Sequence, residues 1–112
     1  MRRIYHIVAR STWDQVGDGS YRADSQAREG FIHCSNGDQV ARVANTFYAN
    51  ADDLLVLCID VDRLLSPVRD EDVGTGETFP HVYEPIDRTA IAVVRPLERG
   101  EDGRWTFREE LA

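Results

Sequence analysis

The run Arg28-Glu29-Gly30-Phe31-Ile32-His33-Cys34-Ser35 decides the reading of the chain, because its character changes twice within a few residues. Phe31 to Cys34 is short, apolar and aromatic-rich, which predicts a strand with His33 near its end, and Gly30 breaks whatever precedes it. Ser35, Asn36 and Asp38 then offer side-chain oxygens for a helix N-cap, and Gln39 lies three residues after Asn36 as a capping-box partner. Val40, Val43, Ala44 and Phe47 follow at i, i+3, i+4 and i+7, the apolar stripe of a helix lying on a sheet. The unit is strand, turn, helix. Its turn would leave the amides of Asn36 to Gln39 pointing outward at the positive end of the helix dipole, beside an imidazole, a thiol and a hydroxyl. That pattern suits an anion, phosphate above all; the plainer alternative is an ordinary capped helix with His33 packed beneath it.

Working outward, Ile4 to Ala9 is β-branched and aromatic and predicts a first strand, with Tyr5, Ile7 and Ala9 on one face and Ile4, His6 and Val8 on the other. Ser11 is positioned to cap a short helix through Trp13 and Val16 that is ended by Gly17 and Gly19. Ser20 to Arg28 is polar, with Tyr21 its only large side chain, and reads as a surface connector at a cleft entrance. On the far side, Leu54 to Val61 is an unbroken apolar run bounded by aspartates, the pattern of a buried central strand. Asp62 to Thr78 holds Gly74-Thr75-Gly76 and the acidic cluster Asp70-Glu71-Asp72 and reads as a long loop, a lid or simply mobile. Phe79-Pro80-His81-Val82-Tyr83 is a short aromatic segment whose proline favours an edge or a strand start. Thr89 to Arg95 predicts another strand, and Trp105 to Phe107 a hairpin partner beyond the turn at Pro96 to Gly103. With strands outnumbering helices, residues 1–112 read as a single α+β domain.

Charge and composition narrow the function. A net charge of −7 opposes non-specific binding to nucleic acid or an anionic membrane, since both need positive surface. All 13 basic residues are arginine. Without lysine there is no Schiff base and no P-loop, whereas arginine remains well suited to bidentate phosphate contacts. Cys34 and Cys58 are isolated cysteines in apolar runs and read as reduced, buried thiols of a cytoplasmic protein. No apolar segment approaches the length of a membrane span or a signal-peptide core. His6, His33 and His81 all fall in strand-like settings and can converge in one cleft, but none shows metal-ligand spacing, so no metal is expected. Ser35 lacks a GxSxG elbow, and Cys34 has apolar flanks that raise a thiol pKa.

The order Tyr5-His6-Ile7, then Trp13, Gly19 and Tyr21, then Glu29 to Ser35, Gln39, Phe47, Leu54 to Asp60 and Phe79 to Tyr83 resembles the small bacterial domain of unknown function 952 family. The resemblance implies an ADP-ribosylation-like fold, mixed twisted β-sheets flanked by one or two helices, shared with ADP-ribosyltransferases and with RNA 2'-phosphotransferases that consume NAD. It implies a small-molecule nucleotide ligand, with NAD as a substrate. His6 corresponds to a first-strand histidine that holds a ribose hydroxyl, and His33-Cys34-Ser35 resembles a His-x-Ser motif before a helix. On that resemblance His6, His33 and Glu84, the glutamate nearest the transferase carboxylate, are the catalytic candidates. Ser35 and His81 would line the ligand site, Tyr21 or Tyr83 would stack on a ring, and Arg10, Arg22 or Arg28 would meet a pyrophosphate. A non-catalytic module of the same fold that binds a protein through its acidic surface, and an RNA 2'-phosphotransferase-like enzyme, are the alternatives.

Overall fold

Alternation and apolar content in the first and fourth segments build the centre of the molecule. In a computed structural model, which describes residues 2–17, 19–23 and 29–109, strand β1 (Arg3–Ala9) pairs antiparallel with β3 (Leu54–Asp60), and β3 pairs antiparallel with β6 (Ile91–Pro96). All seven residues of β3 are buried, as a strand covered on both faces requires. One face of this sheet takes Tyr5, Ile7, Val56 and Cys58, packed against helix α2 (Val40–Phe47) and the hairpin of β7 (Glu98–Arg99) with β8 (Trp105–Thr106). The other face takes Ile4, Val8, Leu55, Leu57 and Ile59, packed against a second sheet.

That second sheet has the order β2 (Ile32–His33), β5 (Thr78–Val82), β4 (Val68–Asp72), all antiparallel. Ile32 and Val82 turn inward to the shared core, so Phe31, His33, His81 and Tyr83 fall on the outer face by the two-residue period. The segment from Asp62 to Thr78 is therefore no lid: Val68 to Asp72 extends into a β-hairpin with β5, and Asp72 Oδ1 accepts the amides of Gly74, Thr75 and Gly76 to close its turn. Pro80, expected at an edge or a strand start, occupies the middle of the central strand of this sheet. Cys34 N–H donates to the Pro80 carbonyl at 3.0 Å, but proline has no N–H to return, and the β2–β5 ladder stops at His33.

The helices depart from expectation in detail. Helix α1 (Arg10–Trp13) begins at Arg10 after an uncapped Ala9, so Ser11 lies inside it, and the chain turns away at Gly17 with φ +72°. Before α2 a 3-10 turn covers Gly37–Gln39, where Gln39 Oε1 accepts the Asn36 amide at 2.8 Å. The carboxylate of Glu109 lies where a Cβ on Gly37 would stand. The helix N-terminus thus meets an anion belonging to the chain itself, which corrects the expectation of an open phosphate site there. Val40 and Ala44 are buried, but Phe47, expected on the same stripe, is 74% exposed. In its broad form the α+β reading holds: antiparallel sheets with few helices.

Candidate functional site

Where the two sheets meet, β1 and Ser35, two residues beyond β2, join through one antiparallel bridge, Tyr5 to Ser35, with N···O distances of 2.9 and 2.7 Å. Beyond it the strands separate and a cleft of about 760 Å³ opens, with His6, Ile7, Tyr21, His33 and Ser35 among its lining. Backbone groups point the same way every second residue along a strand. Ile7 N–H and C=O therefore face the cleft as those of Tyr5 face Ser35, and they have no backbone partner among the described residues.

The His6 ring spans the gap. Its Nδ1 lies 2.6 Å from the His33 carbonyl oxygen and its Nε2 lies 2.8 Å from the Tyr21 hydroxyl. A carbonyl only accepts, so Nδ1 carries the proton and Nε2 accepts from Tyr21. Burial pushes the His6 pKa down to about 4, against the partly compensating bond to the His33 carbonyl, so the ring is neutral at pH 7. Both nitrogens are occupied within the protein. His6 consequently shapes the cleft and orients Tyr21, where the resemblance gave it a ribose hydroxyl. Tyr21 is itself fixed by a bridge to Ile86.

His33 is half-exposed in the cleft wall, with Nε2 3.2 Å from Glu29 Oε2. Behind it His81 is 95% buried on its side chain, since side-chain exposure is 5%. Phe31 stacks on the His81 ring at 4.1 Å, and the His33 ring stands edge-on to His81 with centroids 5.1 Å apart. His81 Nδ1 donates to Glu71 Oε1 at 2.9 Å, and the Tyr83 hydroxyl donates to the same oxygen. These donors, Tyr83 first and His81 second, hold the Glu71 carboxyl below its usual range, and the carboxylate in turn raises Tyr83. At the mouth, Arg42 pairs with Glu77, beside the exposed apolar side chains of Phe47, Tyr48 and Val73.

Among the residues predicted from sequence, His6, Tyr21, His33 and Ser35 share this cleft, while His81 and Tyr83 continue its His33 wall along the outer face of the second sheet. Glu84 and Arg22 are exposed and are not among the lining residues. Arg10 is paired with Asp53 at 2.7 Å, and Arg28 lies outside the described residues. Burial raises the Cys34 thiol, which removes it as a nucleophile at neutral pH. Sequence reasoning passed over Glu29, whose signal was its i,i+4 spacing to His33, and Glu71, which was hidden in an apparent loop. Among the described residues no three His, Cys, Asp or Glu side chains form a metal-holding group, and no helix is long and apolar enough to cross a membrane.

The family model described as a protein of unknown function, DUF952, matches residues 7–94. The chain belongs to the DUF952 family. Its fold is similar to that of a solved structure: the crystal structure of protein CC0527 from Caulobacter crescentus is 25% identical, with a TM-score of 0.80 and 94% of each chain covered. The solution NMR structure of CC0527 is 27% identical, with a TM-score of 0.75, covering 93% of this chain and 91% of that one. No curated protein matches the chain.

Proposed function

We propose that this DUF952 protein binds a nicotinamide nucleotide in the cleft between β1 and β2, in an ADP-ribosylation-like fold, and transfers or hydrolyses its ribosyl group. The observation that carries the reading is the open edge of β1 at Ile7, one N–H and one C=O side by side in a cleft walled by His6, Tyr21 and His33. A primary carboxamide has the complementary pair, an oxygen that accepts and an NH2 that donates. A ring carrying it would rest among apolar and aromatic side chains, as small-ligand sites commonly provide. The cleft volume of about 760 Å³ lies within the range of such sites. Glu29 is the carboxylate beside His33 in the cleft lining, and it, in place of Glu84, which lies outside that lining, faces the positive charge of an N-ribosyl pyridinium and of the oxocarbenium-like state formed as its C–N bond breaks. Arg42 is the arginine at the mouth, where a pyrophosphate would leave the cleft.

Isothermal titration and thermal shift with nicotinamide, ADP-ribose and NAD test this reading. A ligand at a hundredfold over its dissociation constant adds about 2.7 kcal/mol, a plainly raised midpoint. Binding by NAD and nicotinamide is expected; silence with all three overturns the reading. A second reading rests on Phe47, Tyr48 and Val73, three exposed apolar side chains at one cleft mouth. They favour a module that takes an apolar peptide segment, and this reading gains if the nucleotides fail to bind.

A further inference from the structure

Gln39 is a buried side chain whose amide is fully committed. Its Oε1 accepts the Asn36 N–H, and its Nε2 donates to the Thr78 carbonyl at 2.9 Å and to Glu77 Oε2 at 3.0 Å. Arg42 Nη2 donates to the same Glu77 oxygen. A buried amide and a guanidinium therefore fix one oxygen of a carboxylate in the cleft lining, while the other, Oε1, has no partner among the described residues. Arg42 first and Gln39 second hold the Glu77 carboxyl below its usual range, so it is ionised at neutral pH and can only accept. Arg42 in turn keeps Nε and Nη1 free of protein partners among the described residues. Beside this pair stand Phe47, Tyr48 and Val73, three exposed apolar side chains in the lining of one cleft. A fixed acceptor, a guanidinium with donors to spare and an aromatic surface are the three chemistries that one nucleotide presents partners for.

We propose that the cleft mouth is a nucleoside subsite, in which Glu77 Oε1 accepts from a ribose hydroxyl and Phe47 and Tyr48 carry the attached base. The inference rests on the cleft reading above, which brings a pyrophosphate to Arg42, and it names the half of the dinucleotide that lies outside the nicotinamide end. Covalent connectivity sets the order. The second ribose begins one carbon beyond the pyrophosphate, so a phosphate on Arg42 leaves the sugar hydroxyls beside the carboxylate that Arg42 holds. Phe47 follows Arg42 by five residues on α2, about 7.5 Å along the helix axis, a distance on the scale of one sugar and the bond to its base. Bases stack on aromatic rings whatever their edge carries, so the ring supplies affinity and the carboxylate supplies discrimination. A phosphate ester on that ribose has no proton to donate and sets like charge against Glu77, so the ligand class is a dinucleotide with a free ribose diol.

Fragments of the dinucleotide test the mouth apart from the interior. Titration calorimetry would compare nicotinamide mononucleotide, AMP, NAD and NADP on the wild type, Phe47→Ser and Glu77→Gln. NAD is expected to bind about tenfold more tightly than nicotinamide mononucleotide, the low end of what one stacked base contributes, and the gap should close in Phe47→Ser. NADP is expected to bind about tenfold more weakly than NAD, the effect of like charge at an exposed carboxylate, and this gap should narrow in Glu77→Gln. Nicotinamide mononucleotide binding as tightly as NAD to the wild type overturns the subsite and leaves the cleft reading standing. AMP binding with nicotinamide mononucleotide silent supports the subsite and overturns the interior reading. NADP binding as tightly as NAD removes Glu77 from the proposal, and silence with all four ligands overturns both readings and gives the mouth to an apolar peptide. The wild-type comparisons decide these outcomes even if a variant fails to fold.

Discussion

The two sheets of this DUF952 protein share one core and are built to opposite ends. The β1-β3-β6 sheet has both faces of its central strand covered, with all seven residues from Leu54 to Asp60 buried. The β2-β5-β4 sheet hides only one face; the other carries Phe31, His33, His81, Tyr83 and Glu71, joined by ring contacts and by bonds to a single carboxylate. The first sheet supplies most of the core, and the second carries the polar and aromatic side chains of the candidate site. His6 belongs to both, rooted in β1 and bonded to the β2 carbonyl, so the junction is where stability and function are hardest to separate.

Leu57→Ala should break the comparison most severely if it is wrong. Leu57 is fully buried at the centre of the first sheet, and its truncation is expected to remove about 2–5 kcal/mol, read as a lowered urea midpoint. A loss under 1 kcal/mol, roughly the smallest core effect anticipated, would mean that the second sheet carries the fold.

The junction gives an acid signature. His6 has a folded pKa of about 4 against an ordinary 6.5, so the unfolded chain takes up a proton first as pH falls. The His6 contribution is full above pH 6.5, declines between 6.5 and 4, and is level below. The decline amounts to about 3 kcal/mol. Urea midpoints near pH 7 and about pH 4.5 should differ in the wild type and differ much less in His6→Gln; parallel declines would assign the effect to the surface carboxylates. His6→Ala itself is expected to cost about 1–3 kcal/mol near neutrality, because it leaves the His33 carbonyl and the Tyr21 hydroxyl without their bonds.

On the outer face the effect on stability should shrink while that on binding grows. His33→Ala removes a half-exposed ring and should shift stability by no more than about 0.5 kcal/mol, while nicotinamide-nucleotide affinity measured by titration calorimetry falls. An unfolded variant would place His33 with the core. Phe47→Ser should be the mildest of all, within about 0.5 kcal/mol of the wild type, since the ring is 74% exposed; a larger loss would return Phe47 to the helix stripe.

Much of the first sheet was legible before any coordinates. Leu54 to Val61 and Ile4 to Ala9 announce buried strands because burial of a whole strand leaves its mark in consecutive residues, and the structure puts them at Leu54–Asp60 and Arg3–Ala9. The hairpin from Val68 to Val82 was not, since Arg69, Asp70, Glu71 and Asp72 give a strand exposed on its outer face no apolar alternation to read. Pro80 misled for a related reason: its missing N–H excludes a ladder partner on one side only, and a strand can remain central if its neighbour ends there. Of the site, His6, Tyr21, His33 and Ser35 were named from sequence and do meet in the cleft. Glu71 could not be named, because its partners His81 and Tyr83 are ten and twelve residues away and only the hairpin register brings the three together.

By itself the sequence determined the α+β class, the family, the central strands, the strand–turn–helix unit and the absence of lysine chemistry, all of which follow from local pattern and side-chain type. Tertiary structure alone decided that β1 and β2 part after one bridge, that His6 spends both nitrogens holding them, that Glu109 covers the helix N-terminus, and that Glu71 stands behind His81. The physical reason is the same in each case. A residue's chemistry is set by its own atoms, whereas its protonation, exposure and partners are set by neighbours that the fold brings from elsewhere in the chain.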